Sequence, residues 1–341
     1  MPASDLSADS TIGDWLADPA GSAALGRLLS GSGASPSAFD GAHQLTLNEL
    51  VPLSSGAFTP DDIARLVEEV GGKVVEVASS VTPAPRAPEW KEVIISGRFA
   101  GKTVIVTGAG SGIGRATAVR IAKEGGRVVA ADISEERLQQ LLEEHAELDL
   151  IAAHGDISNG ADVERIVAAA GGRIDGLANV AGIMDNMSPL HEVSDELWDR
   201  VLRINLTGMF KLSRAVIPFM LDAGSGSIVN VASESALRGS SSGLAYTASK
   251  HAVVGITRSS AFMYGPSGLR INCVAPGSTV TNIQASFDSA LGRERILPVL
   301  ALAPAPVPAD RLAASITFLL SDDGVNLNGV VLPSDGGQSV I

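Results

Sequence analysis

Tyr246 and Lys250 stand four residues apart in the stretch LAYTASKHAVVGITRS, residues 244–259. Side chains at i and i+4 lie one above the other on a helix, so the phenol and the ammonium can touch. The whole chain has only two tyrosines. The plain reading is an amphipathic helix whose Val253, Val254 and Ile256 face a core while Lys250 faces water. The chemical reading starts from the phenol, whose ordinary pKa of about 10 makes it a poor base near neutrality; an ammonium one turn away favours the phenolate. Lowering a phenol by roughly 3 pKa units needs about 4 kcal/mol of differential stabilisation. Ser233 ends the segment SIVNVAS, 13 residues before Tyr246, and its hydroxyl can donate to an oxygen on which charge grows.

The elements that must position these groups follow from the rhythm of the chain after about residue 97. GKTVIVTG, RVVAAD, DLIAAHGD and IDGLANVAG read as strands. GRATAVRIAKEG, SEERLQQLLEEHAEL and DVERIVAAAGG, lying between them, read as helices. GSIVNVAS, LRINCVAPG and GVVLPSDGG are later strands. Strands alternating with helices predict an α/β fold, a doubly wound parallel sheet with helices on both faces.

The first strand runs into a glycine turn, VIVTGAGSGIGRATA. Gly108, Gly112 and Gly114 permit a tight turn and close approach of backbone to ligand. The helix that follows offers free N–H groups and its positive dipole end to a pyrophosphate. The spacing is T-G-x-x-x-G-x-G rather than G-x-G-x-x-G. Asp132 ends the second strand, 24 residues after Gly108. An acid there can hold both hydroxyls of an adenosine ribose and repels a 2′-phosphate. Neither Ser111 nor Ile133 brings a compensating positive charge, which favours NAD over NADP. Asp156, ending the third strand, can accept from an adenine amino group, or simply cap a turn.

Ser233, Tyr246 and Lys250 behind a dinucleotide turn resemble the short-chain dehydrogenase/reductase family, classical type, over roughly residues 97–341. The motifs that carry the likeness are TGAGSGIG, NVAG (Asn179–Gly182), Asn205 in RINLTG, Ser233, YTASK (Tyr246–Lys250), PGSTVT (Pro276–Thr281) and DGG (Asp335–Gly337). The resemblance implies a Rossmann-type sheet and hydride transfer between a secondary alcohol and a ketone. A ketone accepting hydride develops negative charge on oxygen and needs a proton. Tyr246 would be the general acid/base, Lys250 would favour the phenolate and hold the nicotinamide ribose, and Ser233 would donate to the substrate oxygen. Asn205 would hold a water that links Lys250 to solvent. The cofactor, NAD, would be bound by Gly108, Ser111, Gly112, Ile113, Gly114, Asp132, Asp156, Ile157, Asn179, Ala181, Gly182, Tyr246, Lys250, Pro276, Gly277, Thr279 and Thr281. Two residues depart from the commoner pattern: Thr279 stands at an aliphatic position and Val180 where asparagine is frequent. Residues 282–306 would form a mobile substrate lid. Phe287, Ile296, Leu297, Leu300, Met184, Asp185, Glu234 and Ser235 are candidates to line the pocket, and Arg293 and Arg295 to meet an anionic substrate. The family commonly forms tetramers, so a homotetramer or dimer is expected.

The first hundred residues read differently. They carry a net charge of −7 against −6 for the much longer remainder, within a total of −13. TIGD (Thr11–Asp14), TLNE (Thr46–Glu49) and TPDD (Thr59–Asp62) each place threonine three residues before an acid, the capping-box pattern of a helix start. Leu25, Leu28 and Leu29, then Ile63, Leu66, Val67 and Val70, follow at helical spacing. A small mainly α-helical domain is expected over residues 1–78, with GSGASPSAF as a loop, a Pro-rich linker over 79–96, and the nucleotide-binding domain over 97–341.

Net acidity argues against nucleic acid or an anionic membrane as partner, since both require a basic footprint. No apolar run reaches the roughly 18 residues of a membrane span, and MPASDLSADS lacks the apolar centre of a signal peptide. A single cysteine, Cys273, excludes an internal disulfide and a multi-cysteine zinc site; it reads as a buried spectator, and no metal is expected. The sum is a cytoplasmic enzyme acting on a small alcohol or ketone. The competing reading is a nucleotide-binding regulatory or scaffold protein of the same fold, against which the intact Ser233–Tyr246–Lys250 set argues. An epimerase or dehydratase of an extended relative is a further alternative.

Overall fold

The computed structural model describes residues 6–32, 46–48, 59–71, 90–283 and 286–341. Glu49, residues 33–39 of the expected GSGASPSAF loop and residues 79–89 of the expected linker lie outside the described residues, as does the side chain of Leu29; the first two residues of that expected loop, Gly31 and Ser32, instead continue a helix. The chain divides into two compact units, Met1–Trp90 and Lys91–Ile341.

In the first unit, α1 (Ile12–Ala17) and α3 (Pro60–Glu69) both start with the complete reciprocal box: Thr11 with Asp14, and Thr59 with Asp62. Each threonine hydroxyl accepts from the acid's N–H while the acid accepts from the threonine N–H, so two orphan donors are satisfied at each start. Pro60 occupies the first turn, where its missing N–H costs nothing. Between them runs α2 (Pro19–Ser32). Ile12, Trp15, Leu25, Ile63, Leu66 and Val67 form the buried core of this unit. The Trp15 indole donates to the Ser7 carbonyl at 3.0 Å.

The second unit is built on a parallel seven-stranded sheet in the order β3-β2-β1-β4-β5-β6-β7. Its strands are β1 (Thr103–Thr107), β2 (Arg127–Asp132), β3 (Leu150–His154), β4 (Gly176–Asn179), β5 (Gly226–Val231), β6 (Leu269–Pro276) and β7 (Val331–Ser334). Every residue of β1 is buried, as an interior parallel strand requires. Successive side chains point to opposite faces. Val104 and Val106 join Ala118, Ile121, Leu312 and Ile316 in one core, while Ile105 joins Ile166, Leu212 and Val216 in the other. The first core is closed by α4 (Gly112–Lys123) and α11 (Ala309–Leu320), the second by α6 (Gly160–Ala168) and α8 (Met209–Ala223). The remaining helices are α5 (Glu135–Glu144), α7 (Asp195–Leu202), α9 (Leu244–Tyr264) and α10 (Ala290–Ala301). This is the Rossmann-type arrangement. β1 pairs with β2 on one side and β4 on the other, so the chain reverses direction across the sheet there. A crevice opens beyond the carboxyl ends of the strands at such a reversal.

Two local features shape that crevice. A π-helical turn, Arg203–Gly208, interrupts the path from α7 into α8. The extra residue in such a turn re-aims side chains, and here it buries Asn205. Behind the sheet end, the Asn179 amide donates to Asn230 Oδ1 at 2.8 Å and to Ser213 Oγ at 3.0 Å, and Asn230 donates to Thr257 of α9 at 2.9 Å. This chain of buried amides ties β4, β5 and α9 together. Within the segment expected to be a lid, residues 290–301 form α10, and 284–285 lie outside the described residues. Among the described residues no helix is long and apolar enough to cross a membrane.

Candidate active site

A cleft of about 800 Å³ lies across the carboxyl ends of the strands. Gly108, Ser111, Gly112, Ile113, Gly114, Asp132, Asp156, Ile157, Ala181, Gly182, Ser233, Tyr246, Lys250, Pro276, Gly277, Thr279 and Thr281 all line it. Residues from seven separate segments of the sequence thus meet in one place. Asn179 is the exception among the residues expected to bind cofactor. Its amide is committed to Ser213 and Asn230 inside the sheet, so it supports the wall instead of forming it. Asn205 also stands one layer back. Its side chain accepts from Ile183 N at 2.8 Å, donates to Ile183 O at 2.9 Å and reaches Ser249 Oγ at 3.2 Å. A methyl group at Gly182 would meet Asn205 Oδ1 at 3.2 Å and Lys250 Nζ at 3.4 Å, so those two polar groups face the same small space.

The glycine turn is as tight as its sequence suggested. Gly108 and Gly112 have positive φ, +67° and +51°, and a Cβ on Gly114 would lie 2.1 Å from the Gly108 carbonyl oxygen. Helix α4 therefore begins hard against the turn. Ser111 gives it no side-chain cap, which leaves the first-turn donors for an anion. Asp132 accepts from Gly110 N and Ser134 N, both at 2.9 Å, so the acid braces the turn as well as facing the cleft. These features suit a dinucleotide: a pyrophosphate cradle, an acid at the ribose end, and apolar walls from Ile113 and Ile157.

At the other end, Tyr246 and Lys250 are both buried, 8% and 4% exposed. The outward-facing lysine of the plain helical reading is not found; α9 packs against β6 and turns this face inward. Lys250 Nζ donates to the Val231 carbonyl at 2.9 Å and lies 5.4 Å from the centre of the Tyr246 ring. Burial pushes the Lys250 ammonium down from its ordinary 10.5 to about 8. Burial likewise pushes the Tyr246 phenol up to about 12; the hydrogen bond with Ser233 opposes this, and the charges of Asp185 and Glu234 add to it. The phenol is thus raised overall, because burial dominates, and the Lys250 ammonium is directed at a carbonyl. The Ser233 hydroxyl also caps the short turn Glu234–Ala236, accepting from Ser235 N at 3.1 Å.

Among the substrate-side candidates, Met184, Glu234, Ser235 and Leu300 line the cleft. Phe287, Ile296 and Leu297 do not, and Arg293 and Arg295 do not either; the Arg293 guanidinium donates to the Phe287 carbonyl at 3.1 Å. Asp185 is buried behind the cleft wall, bonded to backbone. Cys273 is buried and its thiol pushed up to about 11, mainly by burial.

Among the lining residues not found from sequence, Arg137, Arg203 and Gln338 make polar contacts at the cleft. Arg137, in the first turn of α5, lines the cleft with its guanidinium 3.4 Å from Ser111 Oγ. It is the positive charge sought at Ser111 and Ile133. Arg203 contacts Asp156 at 3.5 Å and Ser158 Oγ at 2.7 Å. Gln338 accepts from Ser278 N at 2.9 Å and donates to Glu234 at 2.8 Å, joining the turn after β6 to the residue following Ser233.

The cleft and its glycine turn define a nicotinamide-dinucleotide oxidoreductase of Rossmann type. The short chain dehydrogenase family model matches residues 102–292, and the chain belongs to that family. It is similar to levodione reductase of Leifsonia aquatica, 40% identical over 255 residues that span 71% of this chain and 96% of that protein. The crystal structure of levodione reductase superposes with a TM-score of 0.64 over 71% of this chain and 99% of that one. Solved relatives carry either nucleotide. A short chain dehydrogenase from Mycobacterium paratuberculosis is bound to NAD (28% identity, TM-score 0.66, covering 72% of this chain and all of that one). A putative NAD(P) dependent gluconate 5-dehydrogenase from Beutenbergia cavernae holds NADP (35%, TM-score 0.63, 72% of this chain and all of that one).

Proposed function

We propose that this enzyme interconverts a ketone and a secondary alcohol with NAD(H), Tyr246 being the proton donor and acceptor. The observation that carries the reading is the convergence of Ser233 with the buried Tyr246 and Lys250 on one end of the cleft. The bound nucleotide supplies or removes the hydride. In the reduction direction the Tyr246 phenol, raised to about 12 and so fully protonated at neutral pH, donates its proton to the carbonyl oxygen. Ser233 donates a hydrogen bond to the same oxygen as its charge grows. Lys250 and Asn205, facing one another across Gly182, replace the proton from the solvent side. Asn205 acts here as a positioning residue, because it fixes Ile183 and Ser249.

NAD is favoured over NADP because the Asp132 carboxylate faces the ribose end. Arg137 works against that preference and leaves measurable use of NADP. Met184, Ile283 and Leu300 give the substrate end an apolar lining and suit an uncharged substrate, as does the absence of Arg293 and Arg295 from the wall. Phe262 (81% exposed) and Met263 on α9, with Phe210 and Phe219 on α8, supply the apolar faces for a homotetramer, which we place in the cytoplasm. The test is oxidation of NADH and NADPH against a panel of carbonyl compounds, with Tyr246→Phe alongside. Turnover with NADH that vanishes in the variant is expected. Activity that survives in Tyr246→Phe would remove the proton-donor assignment, and preference for NADPH would remove the role of Asp132.

A further inference from the structure

The catalytic helix α9 begins without a cap of its own. Its N-cap residue is Gly243, which has no side chain to offer. The first N–H groups are satisfied instead by the loop after β4, some sixty residues earlier in the chain. Asp185 accepts from Tyr246 N at 2.9 Å, Gly243 N at 3.2 Å and Met187 N at 3.1 Å, and the Ser188 carbonyl accepts from Leu244 N at 3.1 Å. Asp185 is 4% exposed. Gly243 is what lets it approach: a Cβ there would lie 2.5 and 2.7 Å from the two carboxylate oxygens. All three partners of Asp185 are backbone amides, and among the described residues no lysine or arginine pairs with it. A carboxylate at a helix N-terminus is favoured by the dipole; a neutral serine or threonine caps five of the other described α-helices.

We propose that Asp185 is a positioning residue for proton transfer: it seats the first turn of α9, which carries Tyr246, and places an unpaired carboxylate at that turn, where it disfavours a second negative charge on the phenol. The inference rests on Tyr246 being the proton donor. The other charged groups around the phenol act differently. Glu234, in the turn after β5, pushes in the same direction but is engaged by Arg238 at 2.6 Å and by Gln338. Lys250, one turn along α9, is directed at the Val231 carbonyl. Cys273 on β6 is a neutral thiol at working pH. His251 on α9 is exposed and its ring meets the Thr247 carbonyl. Asp185 is therefore the negative charge with the least local compensation, and it sits on the backbone of Tyr246 itself.

The chain's two tyrosines make this measurable without any substrate. Tyr264→Phe leaves Tyr246 as the only phenol, and its ionisation is read from phenolate absorbance, with circular dichroism reporting that the fold persists at each pH. Asp185→Asn keeps an acceptor oxygen at the helix start and removes the charge. Its expected effect is a fall of about one pH unit in the Tyr246 midpoint, with the limb of alcohol oxidation that needs the phenolate moving to lower pH by a similar amount. Glu234→Gln, whose charge is already balanced, should move the midpoint less. Gly243→Ala, which crowds the carboxylate away, should move it in the same direction as Asp185→Asn and stands in if that variant fails to fold. An unchanged midpoint in Asp185→Asn or Gly243→Ala, or a larger shift in Glu234→Gln, would overturn the proposal. The phenol titration gives its answer even if no carbonyl compound is turned over, so failure of the enzymatic reading and failure of this one are told apart.

Discussion

Lys250 should weaken the fold it serves. Its ammonium falls from an ordinary 10.5 to about 8 on burial. A base whose folded pKa is depressed destabilises the native state wherever the charged form must be buried. The penalty is complete below about pH 8 and disappears as pH rises to the unfolded value of 10.5. A shift of about 2.5 units is worth about 3 kcal/mol. Lys250→Met keeps most of the volume and removes the charge. It also removes the donor to the Val231 carbonyl, and an orphaned buried acceptor costs about 1–2 kcal/mol. At pH 7 the first effect wins, and the variant should be more stable than the wild type by about 1–2 kcal/mol. Above pH 10.5 the wild-type lysine is neutral in both states, only the lost hydrogen bond remains, and the order should reverse. Urea unfolding of the nucleotide-free protein between pH 7 and 11 reads this directly. A variant less stable than wild type by a constant amount across that range would refute the reasoning, since it would mean that Lys250 is buried without a desolvation cost.

Three further outcomes are expected. Tyr246→Phe should lower turnover by about 10²- to 10⁴-fold while leaving NADH binding, followed by fluorescence quenching, nearly unchanged. Asp132→Asn should move the ratio of kcat/KM values toward NADPH by roughly 10- to 100-fold, and Arg137→Ala should move it the other way; steady-state kinetics with both nucleotides checks the pair. Gly114→Ala must push against the Gly108 carbonyl and should cost about 1–3 kcal/mol in thermal or urea unfolding, with loss of nucleotide binding.

The glycine turn, Asp132, Ser233 and Tyr246 were legible because each is announced by its neighbours. A strand pattern ends, a helix pattern starts, and the residue between must face the crevice. The capping boxes at Thr11 and Thr59 are equally local. What escaped depends on distant parts of the fold. Nothing near Asp185 in sequence says that it caps a helix starting at Leu244; the signal lies in Gly243, a cap position with no side chain. The pairing of Lys250 with Tyr246 was legible from their spacing, but its bond to the Val231 carbonyl shows only when α9 is laid on the sheet. Arg137 is hidden because an arginine in a helix's first turn gives no sign of which way it points. Gln338 meets Glu234 only because β7 lies beside β6. Asn179, placed at the cofactor by its motif, turned inward because β5 brings Asn230 opposite it.

The order of the strands also fixes when the site can exist during synthesis. Chains emerge amino end first. β1, β2 and β3, adjacent in both sequence and sheet, leave the ribosome together and carry the glycine turn and Asp132. β4, β5 and β6 then add one by one to the other side of β1, bringing Asn205, Ser233 and finally Tyr246 with them. The Gln338 bridge between Ser278 and Glu234 closes last. A half-made chain therefore carries the glycine turn and Asp132 before Ser233, Tyr246 and Lys250 have been added.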